Sequence, residues 1–180
     1  MAGLFFRAAF AALAVSGAFL LFSCASAQIP FEQQARNGND AILAYQEGQR
    51  LESEKKYADA LAAYADALPY ARLHDAALYK IGRISAVTGD WDRAEEAFEE
   101  LLLDDPQNTA ARQSLAYVFC QSGREAEGLA AYRVLHEEKP HDELIFQGYI
   151  KALKLNGLDE EAAGEEEVYA SLFPSQRMSK

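Results

Sequence analysis

The sequence predicts an all-α fold, an α-solenoid of about four helix-turn-helix repeats behind an N-terminal signal segment, and three observations carry that prediction. Glycines recur at Gly89, Gly123 and Gly157, each 34 residues after the last. Prolines at Pro106, Pro140 and Pro174 keep the same spacing in a fixed phase. Apolar residues follow the same ruler: Tyr64, Phe98 and Tyr132 fall in one column, Ala60, Ala94, Gly128 and Ala162 in another, Gly48 and Gly82 in a third, Tyr57 and Trp91 in a fourth. A period of this length with small residues at fixed sites means one stacked pair of helices per unit. The small columns let helices approach closely, and the aromatic column fills the space between them.

The first element is a processing segment. Met1 to Arg7 carries one positive charge, and Ala8 to Phe22 is an uninterrupted run of apolar and small residues of the usual hydrophobic-region length. Two exits are legible. Leu21-Phe22-Ser23-Cys24 resembles the bacterial lipobox, in which the cysteine becomes the lipid-bearing first residue of the mature protein, and Ala25-Ser26-Ala27 resembles the small-x-small site of the ordinary signal peptidase. The lipobox is the favoured reading, because a cysteine closing a hydrophobic run after a small residue is where that chemistry requires a thiol. It makes 1–23 the signal peptide, against 1–27 for ordinary cleavage. An uncleaved anchor is the least favoured reading, since Ser16, Gly17 and Ser23 leave the run weakly hydrophobic for a full span. All three send the repeats out of the cytoplasm.

Residues 24–40 then read as a polar tether, and Asp40 as the N-cap of the first helix. Helix pairs are expected over 40–54 and 57–68, 75–88 and 91–104, 109–122 and 125–138, and 142–156 and 159–173, within units 41–74, 75–108, 109–142 and 143–176, before a tail at 177–180. Glycine between the two helices of a unit supplies the turn, and proline stops the second helix because it lacks an N–H and clashes with the preceding turn. Asp90, Asn108, Asp142 and Asp159 stand where N-caps are wanted. The first unit departs from the pattern, with Lys55 in the glycine column and Pro69 ending its second helix early; the fourth has Glu166 in the aromatic column. Terminal units lack one neighbour, so such departures are end effects. Glutamates crowd the second helices, at Glu95, Glu96, Glu99 and Glu100 and again from Glu160 to Glu167, as a solvated face would.

The pattern resembles the tetratricopeptide repeat family, whose small, turn, aromatic, small, aromatic and proline positions are matched in the second unit by Gly82, Gly89, Trp91, Ala94, Phe98 and Pro106. The resemblance implies a right-handed superhelix with a concave groove lined by the first helix of each pair. In the family, ligands touch the second, fifth, sixth, ninth, twelfth and thirteenth residues of a unit. Carried onto this chain, that surface presents Tyr45, Gln49 and Glu52; Tyr79, Lys80, Arg83 and Val87; Gln113, Tyr117, Cys120 and Gln121; then Gln147, Lys151 and Lys154. Members that grip the C-terminal carboxylate of cytosolic chaperones carry lysine and asparagine where this chain has Tyr45 and Gln49, so that clamp is absent.

Composition narrows the function classes. A formal charge of −11 over 180 residues argues against nucleic-acid binding, which shows a basic patch or excess. His74, His136 and His141 sit at helix ends or between helices and specify no metal site. Neither a phosphate loop nor a nucleophile elbow is present, so catalysis and cofactors are not expected. With Cys24 lipidated or removed, Cys120 is left alone, a small buried hydrophobe. The expected groove runs against the composition, interleaving tyrosines with Lys80, Arg83, Lys151 and Lys154 on an acidic chain. Tyrosine and arginine carry binding energy at interfaces, and positive charge draws acidic partners. The expectation is therefore an exported, lipid-anchored adaptor binding a peptide or partner protein of the cell envelope. The alternative is a small-molecule-binding component of an envelope transporter, using a pocket among Tyr79, Tyr117 and Cys120.

Overall fold

The computed structural model describes residues 31–174, with side chains from residue 36 onward. The signal segment, Cys24 and the tail at 177–180 lie outside the described residues. Those described form α1 (Phe31–Ser53), α2 (Tyr57–Ala67), α3 (His74–Thr88), α4 (Trp91–Asp104), α5 (Thr109–Gln121), α6 (Glu125–Glu138), α7 (Glu143–Leu155) and α8 (Asp159–Leu172). They pair into four hairpins stacked in chain order, so each helix packs on the next, and α3, α5 and α7 also approach one another along one side. No helix among the described residues is long and apolar enough to cross a membrane.

The turns show why the 34-residue glycine series exists. Gly89, Gly123 and Gly157 have φ of 80°, 87° and 72°, a left-handed backbone that side chains with a Cβ resist. Each turn closes with the same bond: the N–H of Asp90, Arg124 and Leu158 donates to the carbonyl of Ser85, Phe119 and Leu153. The first unit makes the equivalent Lys56–Leu51 bond, and Lys55 is forced to φ 59° to do so.

The columns are one contact repeated. A Cβ on Gly48 would lie 2.8 Å from the Tyr64 ring, and one on Gly82 would lie 2.8 Å from Phe98. The glycine column thus exists to admit the aromatic column, and Tyr64 and Phe98 are almost wholly buried as a result. Ala60, Ala94 and Ala162 are fully buried, and Gly128 is buried beside them in the same column. One core runs through α1 to α5, and a second, built on Tyr132, Leu135, Tyr149 and Leu153, runs through α5 to α8. Phe146, Ile150 and Tyr169 close the last hairpin with Phe173 against them.

Two expectations about helix starts are corrected. The tether does not reach Asp40: α1 already runs from Phe31, and Asp40 lies inside it rather than capping it. The cause is packing, since Gly38 and Ala41 are buried and a Cβ on Gly38 would lie 3.2 Å from the Tyr70 ring. Tertiary contact overrides the weak helix preference of Asn37, Gly38 and Asn39. Asp159 is likewise the first residue of α8 and not its cap; that place falls to Leu158, which makes no side-chain bond. Asp90, Asn108 and Asp142 do cap, accepting from Arg93, Ala111, and Leu144 with Ile145.

The acidic second helices are only partly a solvated face. Glu96, Glu99 and Glu100 are exposed, but Glu95 accepts from Arg124 at 2.7 Å and Glu161 from Arg133 at 3.3 Å, each arginine belonging to the next or preceding unit. Surface ion pairs of this kind contribute about 0–1 kcal/mol each. Their effect is to hold register between units more than to stabilise the whole.

Candidate functional site

The side on which α3, α5 and α7 approach is the candidate surface, and the expected residues distribute along it unequally. At the first hairpin Tyr45 is half-buried, its ring edge-on to Tyr64 with centroids 5.3 Å apart, while Gln49 is exposed. Glu52 Oε2 accepts both the Tyr64 hydroxyl at 2.7 Å and the Lys80 ammonium at 2.9 Å. Burial raises the Glu52 carboxyl, but these bonds and the charges of Lys80 and Arg83 outweigh it and hold it below the usual carboxylate range. The same contact, with burial first, pushes the Tyr64 hydroxyl up. Lys80 is therefore a neutralised cation joining two units.

The centre is open. Tyr79, its ring edge-on to Phe98 at 5.8 Å, Arg83, Val87, Gln113, Ser114, Tyr117 and Leu144 surround a cavity of about 380 Å³, with Ala86, Phe98 and Tyr132 completing the wall. Tyr79, Arg83, Gln113 and Tyr117 were expected on this face and lie together on it. Arg83 is exposed and has no carboxylate within 4.0 Å among the described residues. Among the described residues no aspartate or glutamate belongs to the wall, in a chain with 28 of them.

The last hairpin differs. Gln147 does not stand free: its amide donates to Tyr169 Oη at 2.6 Å and to Glu143 at 3.2 Å, and Tyr169 donates to the same Glu143 oxygen. Lys154 is paired with Glu166 at 2.6 Å, while Lys151 is exposed with no carboxylate within 4.0 Å among the described residues. Glu166 and Lys154 occupy the places that Tyr64 and Glu52 hold in the first hairpin. In the last hairpin an ion pair thus stands where the first has an aromatic ring.

One expected wall residue is corrected. Cys120 does not face the cavity with Tyr79 and Tyr117; it is buried between α5 and α6, its Sγ against Gly128. Burial, and then the charge of Glu125, push its thiol up. Position in the repeat placed it at the edge of the contact surface, and the glycine in the facing helix drew it inward. Ser114 and Leu144 were not singled out from the sequence. They are the sixth residue of the third unit and the second of the fourth, so the same positional mapping contains them, and a leucine just inside a helix start was the available signal.

The histidines do not converge. His74 packs at a helix start, with Nε2 3.3 Å from Glu100, and His136 lies between Phe146 and Tyr149, stacked on the latter at 4.9 Å. Among the described residues no three histidine, cysteine or acidic side chains gather as a metal site would require.

Comparison with known proteins places this geometry. The profile of the tetratricopeptide repeat family matches residues 51–116 and 88–149. The photosystem I assembly protein Ycf3 of Rippkaea orientalis is 30% identical over 148 residues, covering 73% of this chain and 83% of its own. Among solved structures, MamA from Desulfovibrio magneticus RS-1 superposes with a TM-score of 0.68 at 19% identity, over 77% of this chain and 78% of that one. YrrB, described as having an unusual peptide-binding site, superposes with a TM-score of 0.61 at 22% identity, over 79% of this chain and 74% of that one.

Proposed function

Because the chain belongs to the tetratricopeptide repeat family, a fold that serves protein–protein interaction, we propose that it is an exported, lipid-anchored adaptor holding a peptide or partner protein of the cell envelope in its concave groove. The observation that supports this most directly is the open centre of the groove. Among the described residues, tyrosines, aliphatic side chains and one cation without a carboxylate partner surround it, and no carboxylate does. Aromatic and arginine anchors in a sheltered recess are where interface energy concentrates. The peptide-binding description of YrrB agrees with this mode of use, and proteins of this family are generally scaffolds rather than catalysts. We propose no catalytic role for this chain.

The envelope address and the anchor rest on the sequence of the first residues. Cys24 closing the hydrophobic run supports lipidation, with a soluble periplasmic or secreted form as the alternative if Ala25-Ser26-Ala27 is cut instead. Cys24→Ala is expected to move the protein out of the detergent phase and to remove the mass of the lipid. If the variant stays in that phase with unchanged mass, the anchor is wrong.

The groove is tested by recovering partners from membranes with wild-type protein and with Arg83→Glu and Lys151→Glu. Loss of the principal partner from the variants is expected; identical partners would remove the groove from the account. The volume of the central cavity, about 380 Å³, lies in the range of small-ligand pockets and favours a small-molecule-binding component as the second reading. Native mass spectrometry of the purified protein separates the two, since a retained small ligand supports only the second.

A further inference from the structure

We infer that the segment held at the groove centre presents an acidic side chain beside a large aliphatic one, the carboxylate taken by Arg83 and the aliphatic group by the recess between Tyr79 and Tyr117. The inference rests on the groove reading above and adds the chemistry of its occupant.

Charge comes first. The neighbouring cation, Lys80, is already satisfied by Glu52, whose Oε2 is also bonded by Tyr64. Arg83 acts on Glu52 through its charge but has no carboxylate within 4.0 Å among the described residues. Its guanidinium keeps five N–H donors in a planar fork suited to one. Placing such a group in a wall that contains no acid among the described residues, on a chain of net charge −11, selects an anionic partner and rejects a cationic one.

Shape supplies the second half. Val87 is 64% exposed, Leu144 66% and Tyr117 46%, and all three border the cavity with Arg83. Each adds apolar area at the cavity, and covering it removes that area from water. Gln113 in the same wall offers a donor and an acceptor to the backbone of an extended segment.

A display library of short random segments, selected on the full-length protein in detergent micelles, tests this. Enriched segments are expected to place aspartate or glutamate within about two positions of leucine, isoleucine, valine or methionine. Replacing that acid by its amide should weaken binding about tenfold or more in the wild type, the scale of a charge-assisted hydrogen bond, and less than about twofold in Arg83→Gln. Enriched segments without an acid, yet still released by Val87→Asp, overturn the inference while leaving the groove reading intact. Enriched segments indifferent to both substitutions, or no enrichment at all, overturn the groove reading as well. Native mass spectrometry showing a second copy or a small molecule lost on Arg83→Gln assigns the recess to that occupant instead and also overturns the inference.

Discussion

Gly128 of α6 passes so close to α5 that a Cβ placed on it would lie 2.9 Å from the carbonyl oxygen of Ala116 and 2.9 Å from the amide nitrogen of Cys120. Both are backbone atoms inside a helix and cannot step aside. Gly128→Ala is therefore expected to cost about 1–3 kcal/mol despite the higher helix propensity of alanine, read as a lower urea midpoint. The equivalent change at Gly164, which has nothing within 4 Å, is expected to stabilise by about 1 kcal/mol. Equal effects at the two sites would show that close approach is not what fixes Gly128.

Lys55 holds the turn that glycine holds in the later units, at φ 59°. A left-handed backbone costs a side-chain residue about 1–2 kcal/mol, while glycine gives back about 0.5–1 kcal/mol through the greater freedom of its unfolded chain. Lys55→Gly should thus stabilise by a net of about 0.5–1 kcal/mol in thermal or urea unfolding. A destabilised variant would mean that the Lys55 side chain makes a contribution its exposed position does not suggest.

Acid should weaken the joint between the first two units. Glu52 ionises below its usual range in the folded chain, so its contribution is fully present above the unfolded value, about 4.3, and is lost as pH falls through the lower folded value. In Glu52→Gln the drop in urea midpoint between about pH 6 and about pH 3 should be smaller than in the wild type. An identical drop would show that the bonds from Tyr64 and Lys80 do not stabilise the ionised form.

The Cys120 thiol should be nearly inert in the folded protein. The thiolate is the reactive species, and burial together with the charge of Glu125 disfavours it. In full-length Cys24→Ala protein at about pH 8, a thiol reagent should label Cys120 at least about tenfold more slowly than in urea. Similar rates would place the sulfur at the surface.

Much of this architecture was legible in one dimension because a repeat writes its geometry as a period. The glycine series named its own left-handed turns, the Tyr64, Phe98 and Tyr132 column named the core, and Asp90, Asn108 and Asp142 named their helix starts. The candidate site was half legible: position in the unit gathered Tyr79, Arg83, Gln113 and Tyr117 correctly around one cavity. It also assigned Cys120 to that surface, where the structure buries it, and left out Ser114 and Leu144.

The sequence alone determined which residues share a helix face, since that follows from spacing along a regular backbone. Only the tertiary structure decided how deep each lies and which charges are already taken: that Tyr70 covers Gly38 and so extends α1, that Lys80 is bound to Glu52 and Lys154 to Glu166, and that Arg83 is left facing the cavity. Depth and pairing depend on side chains reaching across from other helices, and their reach is fixed by packing distances that no spacing in the chain records.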